Sequence, residues 1–272
     1  MTTKKRPTGT KEWATANLNI QLGCEHGCRY CFARHNAVTR FKTCTSDAWT
    51  KPVVNLKKVD AKHNKVNGRI MFPTQHDITP LNMWYCKSVL ENVLRAGNQV
   101  LIVSKPHLIA INMLCEALKP WKSQIMWRFS IGTLNDDRRK FWEPNAPSIG
   151  ERLACLWLAG PACYDYRTSV SAEPLFDNVP HEAGNLFNAC VIQAGAKNIW
   201  FGMLNKPEQR IQWDKSNGFL KEQPEYIRLI RNQSAENYQS IYDYLKNLKD
   251  VRWKISVCEL LGLEERTEAD LD

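Results

Sequence analysis

Short runs of branched and aromatic residues alternate along this chain with longer stretches in which apolar residues recur every three or four positions. The runs Asn19 to Leu22, Arg69 to Phe72, Gln99 to Val103, Ile125 to Ile131, Tyr166 to Val170 and Ile199 to Met203 predict strands. Helices are predicted over Leu81 to Ala96, Ile109 to Leu118, Ile149 to Leu158, His181 to Ala194 and Ala235 to Leu248. In the first of these, Leu81, Trp84, Tyr85, Val89, Val93 and Leu94 fall broadly on one face, and Gly97 is placed to cap the C-terminus. Ser148 followed by Glu151 has the spacing of a capping box. Each strand after the first is entered through a polar turn or a glycine, and the separations suit parallel strands joined by helical crossovers. The expectation is an α/β fold whose active groups lie in loops beyond the strands' carboxyl ends. Periodicity does not choose between an open sheet and a barrel.

Composition narrows the class. The 272 residues are 43% hydrophobic, enough for one large domain or a domain with a small extension. No apolar run approaches the roughly 18 to 20 residues that span a bilayer, and Met1 to Lys11 is basic without an apolar signal core, so no membrane association and a cytoplasmic location are expected. The formal charge is +9 and uneven: Lys and Arg dominate through Phe72, whereas Glu259 to Asp272 is mostly acidic. Such a basic half suits a phosphate backbone or simply a solvated surface.

Ten cysteines are present, seven of them scattered at Cys44, Cys86, Cys115, Cys155, Cys163, Cys190 and Cys258. That scatter, with several in apolar surroundings, reads as thiols of a reducing compartment and not as a disulfide framework. The other three, Cys24, Cys28 and Cys31, are compact and lie beside Gly23 and Gly27. Three thiolates hold three irons of a [4Fe-4S] cube and leave the fourth iron open to another molecule. The competing reading is zinc, with His26, His35 or Cys44 as a fourth ligand; no second Cys-x2-Cys or Cys-x2-His pair follows. His26 is read as a surface or supporting residue and not as a ligand.

The segment Gly23-Cys-Glu-His-Gly-Cys-Arg-Tyr-Cys-Phe32, with Tyr30 before the last cysteine, closely resembles the cluster loop of the radical S-adenosylmethionine (radical SAM) enzymes. Within that superfamily, Ser130-Ile-Gly-Thr, Arg138, and Trp142-Glu-Pro-Asn-Ala-Pro-Ser148 followed by Glu151 and Arg152 resemble the spore photoproduct lyase-like branch. The resemblance covers about Asn19 to Asn205. It implies a partial (β/α)6 TIM-like barrel, a [4Fe-4S] cluster and S-adenosylmethionine, whose cleavage yields a 5'-deoxyadenosyl radical that abstracts hydrogen from substrate. It also implies a reducing partner such as flavodoxin or ferredoxin. The domain reading is a loosely ordered basic N-terminal arm (1–16), a radical SAM core (17–205) and a C-terminal extension packing on or completing it (206–272), with Asn205 to Gln223 irregular.

The resemblance places further candidates. Pro73-Thr-Gln-His-Asp77 occupies the position where these enzymes often carry a glycine- and glutamate-containing segment near the amino group of SAM; the sequence departs from that pattern and offers Thr74, His76 and Asp77, or a plain helix cap. Ser104, Lys105 and Ser130 are candidates for carboxylate or ribose oxygens. Arg138, Glu143 and Arg152 are expected to form an ion-pair network, and Glu173 in Ser171-Ala-Glu-Pro174 to face SAM or substrate. Hydrogen-atom donors are sought in Cys163, Tyr164, Tyr166 and Cys258 near predicted strand ends.

For the substrate, the branch implies a nucleobase in DNA or RNA. Trp84, Trp127 and Trp157 are expected in the core, and Trp49, Trp142 and Trp213 at a surface or cavity edge. The leading reading is hydrogen abstraction from a nucleic-acid base followed by bond cleavage or rearrangement. The alternatives are modification of a peptide or small nucleotide, and a non-catalytic zinc or iron-sulfur nucleic-acid-binding protein.

Overall fold

The computed structural model describes residues 9–177, 179–212 and 220–263. Its centre is a seven-stranded parallel sheet of β1 (Ala16–Asn17), β4 (Arg69–Phe72), β5 (Gln99–Ser104), β6 (Ile125–Ser130), β7 (Arg167–Ala172), β8 (Ile199–Phe201) and β9 (Val251–Trp253), in that spatial order. Two short strands inserted after β1, β2 (Gln21–Leu22) and β3 (Val53–Val54), pair antiparallel as a separate ribbon. The predicted first strand is thereby corrected: the sheet begins at Ala16, three residues earlier, and Gln21–Leu22 belongs to the ribbon that leads into the cysteine loop. β9 lies just beyond the predicted Ala235 to Leu248 helix, where no strand was expected; three residues are too few to show a period of two.

The helices are α1 (Phe32–His35), α2 (Leu56–Val59), α3 (Met83–Arg95), α4 (Leu108–Ala117), α5 (Asp136–Trp142), α6 (Ile149–Ala159), α7 (Pro180–Phe187), α8 (Pro207–Gln212), α9 (Pro224–Arg231), α10 (Ala235–Leu245) and α11 (Ile255–Leu261). Those after β4, β5, β6 and β7 cover one side of the sheet. Ile70, Phe72, Val100, Ile102, Trp127, Phe129, Val170, Ile199 and Phe201 project into that layer and form the main core with the helices' apolar stripes. Each fully buried aliphatic side chain contributes about 1.5 to 3 kcal/mol there.

Alternate residues on the same strands point the other way. Leu101 and Met126 meet Trp200 around Trp13, whose ring lies 4.5 Å from that of Trp200 in an edge-to-face arrangement. Strands β5 and β8 are separated by two others, about 14 Å at the usual spacing, so one side chain reaches both only because the sheet curls. The architecture is the partial TIM-like barrel, with Trp13 inside it. Of the N-terminal segment read as an arm, residues 1–8 lie outside the described part; Gly9–Glu12 form a 3-10 turn and Trp13 is buried.

Local signals explain the element ends. Gly97 adopts φ +80° and donates its N–H to the Leu94 carbonyl, closing α3. Ser148 Oγ accepts from the Glu151 N–H at 3.2 Å and starts α6. The second half of the box goes elsewhere: Glu151 Oε1 accepts from the Leu108 N–H at 2.9 Å and caps the neighbouring α4. On α3 the buried stripe is Cys86, Val89, Leu90, Val93 and Leu94. Leu81 precedes the helix, and Trp84 and Tyr85 are exposed because they fall outside the stripe that Cys86, Val89, Leu90, Val93 and Leu94 define.

The tryptophan expectations are also revised. Trp127 is in the core, but Trp84 and Trp157 are 61% and 52% exposed, whereas Trp49 and Trp142, expected at an edge, are buried. Trp213 lies outside the described residues. Within Asn205 to Gln223, α8 and a 3-10 turn at Leu220–Glu222 replace part of the irregular stretch. No helix among the described residues is long and apolar enough to cross a membrane.

Candidate active site

Every strand of the barrel from β4 onward ends at one cavity of about 370 Å³, and the cysteine loop after β1 and β2 closes it. Cys24, Cys28 and Cys31 line it together with Thr74, His76 and Asp77 after β4, Ser104 and Lys105 at β5, Ser130 at β6, Ser171 and Glu173 at β7, Asn205 after β8 and Lys254 after β9. Gly9, Thr10 and Trp13 add a wall from the N-terminal segment.

The loop is held from two sides. The Cys24 N–H donates to the Trp49 carbonyl at 2.9 Å, and a Cβ on Gly23, at φ +89°, would stand 2.6 Å from that same oxygen. On the other side, Arg29 N–H donates to Trp142 O, Asn145 N–H to His26 O, and Asn145 Nδ2 to Glu25 O. The Trp142–Asn145 segment is thus a platform for the cysteine loop. Cys31 starts α1, its Sγ accepting from the Arg34 N–H at 3.4 Å.

Burial, reinforced by Asp77 and Cys31, pushes the Cys24 thiol up to about 12. Burial also holds Cys28 well above its ordinary value. Both thiols therefore carry protons in the metal-free chain at neutral pH, and metal binding must displace them.

Asp77 is the hub of the second layer. It accepts from Ser104 Oγ at 2.5 Å, from the Ile78 N–H at 2.8 Å and from the Lys105 N–H at 3.0 and 3.1 Å. His26 Nδ1 lies 3.3 Å from Asp77 Oδ2 without hydrogen-bond alignment, and its Nε2 is 2.8 Å from His107 Nε2, one ring donating and the other accepting. Burial acts to raise the Asp77 carboxyl, but His26, Lys105 and Ser104 outweigh it and hold the group well below the usual carboxylate range. Asp77 thus positions Ser104, Lys105 and the loop through His26, which is buried and not a surface residue.

A second carboxylate braces the same wall. Glu143 accepts a short hydrogen bond from the Tyr30 hydroxyl, pairs with Arg152 Nη2 at 2.5 Å, and lies 3.8 Å from Lys105 Nζ. Burial would raise Glu143, yet Arg152 and Lys105 lower it below the ordinary range. Arg152 also donates to Ser130 O and Pro147 O, tying β6 to the platform. Arg138 is a correction to the expected network: it pairs with Asp177 at 2.8 Å and Glu182 at 3.0 Å, outside the cavity lining.

Of the other candidates, Thr74 faces the cavity while its Oγ1 accepts from Asn19 Nδ2 at 2.7 Å. His76 Nε2 accepts from the Ile20 N–H at 3.2 Å, and burial lowers its proton affinity, which fits a neutral ring. Glu173 pairs with Lys254 Nζ at 2.7 Å and accepts from Asn205 Nδ2 at 3.2 Å.

The four proposed hydrogen donors do not line the cavity. Cys163, Tyr164 and Tyr166 lie at the entry to β7, the end opposite the cysteines, because the strand runs from Arg167 toward Ala172. There Cys163 is exposed, and the hydroxyls of Tyr164 and Tyr166 donate to Asn112 Oδ1 and Cys115 O. Cys258 is buried on α11, its Sγ 3.8 Å from Trp253 O.

Sequence reading also missed residues. Arg128, inside the barrel on β6, stacks 4.2 Å from the Trp13 ring centre and donates to Ser169 Oγ; Lys254 sits 4.5 Å from that same ring. An arginine at an inward position of a buried strand is the one signal that pointed there.

The candidate fourth donors of the zinc reading differ in their surroundings. His26 is committed to Asp77 and His107, and His35 Nε2 lies 3.5 Å from Thr39 Oγ1. Cys44 packs, with Cys24 and Cys31, against the small cluster of Ala33, Ala37 and Trp49. Among the described residues no three His, Cys, Asp or Glu side chains gather closely enough to hold one metal ion. The fit of an iron-sulfur cluster rests on the donor set, three thiols on one cradled loop facing a cavity.

No protein-family model matches the chain. Over 155 residues it is 26% identical to an uncharacterized protein, ORF301, of Acidianus two-tailed virus, covering 53% of this chain and 50% of that one; the chain spans about half the length of this curated relative. Among solved structures it resembles two variants of spore photoproduct lyase. A tyrosine-to-phenylalanine variant superposes with a TM-score of 0.59 at 16% identity over 93% of this chain and 79% of that one. A cysteine-to-alanine variant with a dinucleoside spore photoproduct gives 0.56 at 16% identity over 92% and 78%. The chain shares the fold of spore photoproduct lyase.

Proposed function

We propose that this protein is a radical SAM enzyme acting on a nucleobase. The observation that carries the reading is the convergence of Cys24, Cys28 and Cys31 with Ser104, Lys105, Ser130 and Glu173 on one cavity at the carboxyl ends of the strands. The three thiols would hold a [4Fe-4S] cluster, and the remaining lining residues would hold S-adenosylmethionine: Lys105 suits a carboxylate, Ser104 and Ser130 suit polar oxygens, and Glu173 suits an amino group or ribose. Bound together, these two cofactors supply one-electron cleavage of a carbon–sulfur bond and hydrogen abstraction from substrate.

The chain's own residues set the conditions. Asp77 and Glu143 fix Lys105 from two directions, one through its backbone N–H and one through its ammonium. Tyr30, anchored on Glu143, sets the wall beside Cys31. The curled sheet and Trp13 shield the interior from water, as a reactive intermediate requires. A nucleobase substrate is supported by the formal charge of +9 and by the dinucleoside spore photoproduct present with the spore photoproduct lyase variant. A reducing electron donor and a reducing, cytoplasmic setting belong to the same reading.

Anaerobic reconstitution tests it. About four irons and four sulfides per chain, with reductive release of 5'-deoxyadenosine from S-adenosylmethionine, are the expected result. One zinc and no sulfide would overturn it in favour of a non-catalytic binding protein.

A further inference from the structure

We infer that the lobe wrapped around the cysteine loop is a track for single-stranded nucleic acid that leads to the cavity mouth. The inference rests on the enzymatic reading above and extends its substrate from a nucleobase to a polymer. Residues 25–58 carry seven Lys and Arg against two acids, Glu25 and Asp47. Arg40, Lys42, Lys51, Lys57 and Lys58 are all exposed.

These cations sit on segments packed against the cysteine loop. The β2–β3 ribbon leads into it, Trp49 O accepts from Cys24 N–H, and Thr50 Cγ2 lies 3.3 Å from where a Gly27 Cβ would stand. Lysines on helices elsewhere are matched by local acids, as in Lys87–Glu91, Lys119–Glu116 and Lys246–Asp243. Among the described residues none of the five exposed cations of the lobe forms an ion pair within 4.0 Å of an acid. Exposed like charges concentrated in one short stretch of chain are suited to a polyanion, whose binding releases condensed counterions.

Flat side chains accompany the charge. Phe41 is 57% exposed, with the Arg40 guanidinium 5.1 Å from its ring centre. Phe32 lines the cavity yet is 40% exposed, so it stands at the mouth, and Arg210 lies 5.8 Å from its ring centre. Exposed rings beside cations form the usual platform for unpaired bases. The track and the mouth therefore meet at Phe32. An acidic electron-carrying protein would match the charge, but it has no use for an exposed ring at the mouth of a cavity.

The test uses the full reconstituted chain and a fluorescein-labelled 20-nucleotide single strand, as DNA and as RNA, with anisotropy read from 50 to 200 mM NaCl. For about five phosphate contacts the logarithmic salt slope is near −3 to −4, so affinity falls by roughly 60-fold or more over that range. The triple variant Arg40→Glu, Lys51→Glu, Lys57→Glu is expected to flatten the slope by about 2 units. Its substrate-free cleavage of S-adenosylmethionine should match the unaltered chain, which shows that the fold and cluster survive. Equal binding and equal slopes for the two proteins would overturn the proposal. So would unchanged oligonucleotide binding with slowed reduction by an acidic electron carrier, which would make the lobe a protein-docking face. Oligonucleotide binding without any cleavage of S-adenosylmethionine would leave the track standing and remove the enzymatic reading beneath it.

Discussion

The cavity has two unlike walls. The cysteine-loop wall is braced by buried carboxylates, Asp77 bonding to Ser104 and Lys105 and Glu143 to Tyr30 and Arg152, within a continuous stretch of strands β4 to β6 and their loops. The facing wall is assembled from distant parts of the chain: Trp13 from the start, Glu173 from β7 and Lys254 beyond β9. One ion pair and stacked cations hold it. A buried carboxylate is tolerated only when its lone pairs are met by donors, so it also fixes those donors in space. The first wall is built for fixed geometry; the second leaves cationic and aromatic groups facing the cavity.

The comparison can be broken most severely at the cysteines. Cys28→Ala should abolish cluster assembly and lower 5'-deoxyadenosine release by more than about 100-fold, beyond the range of changes to supporting residues. Iron and sulfide analysis beside the cleavage assay reads both. Next in size is Glu143→Ala, which leaves Arg152 buried without its carboxylate; a loss of roughly 3 to 5 kcal/mol is expected in urea unfolding of the metal-free chain. Adding Arg152→Met to that variant should recover part of the loss, and no recovery would show that the pair is not coupled.

On the facing wall the expected cost is smaller. Lys254→Met removes the partner of Glu173 and should destabilise by about 1 to 3 kcal/mol. Because Lys254 touches neither the cysteine loop nor its carboxylates but holds Glu173, its loss should raise the KM for S-adenosylmethionine while kcat of substrate-free cleavage stays within about 3-fold, and a collapse of kcat would erase the distinction between the walls. The smallest effect is a pH dependence. Asp77 and Glu143 have folded-state pKa values below their unfolded ones, so their stabilisation is complete above the ordinary carboxylate range. It is lost as pH falls through that range toward the depressed folded values. Glu143→Gln should flatten the acid limb of the urea midpoint against pH, and an unchanged limb would remove Glu143 from the account.

The elements most legible in sequence were those with enough residues to display a period. Arg69–Phe72 matches its predicted strand, and Gln99–Ser104 and Ile125–Ser130 differ from theirs by one residue. The α6 start followed from Ser148 because a cap is a local hydrogen bond. Two- and three-residue strands such as Ala16–Asn17 and Val251–Trp253 carry no period of their own and exist because a neighbouring edge supplies their partners. At the site, Ser104, Lys105 and Glu173 were legible as residues at strand ends. The roles of Asp77 and Glu143 as braces were not, since a carboxylate looks the same in sequence whether it faces a ligand or three protein donors.

The amino-acid sequence by itself determined the compact cysteine loop, the alternation of strands and helices, and the end of the sheet at which polar groups would gather. Each depends on spacing within about ten residues. Only the tertiary structure decided that Arg138 leaves the site, that three of the four proposed hydrogen donors lie at the far end of β7 and the fourth on α11, and that Trp13 and Lys254 complete the cavity. Those outcomes depend on strand direction and on the closing of a curled sheet, which bring together residues separated by up to 241 positions, from Trp13 to Lys254.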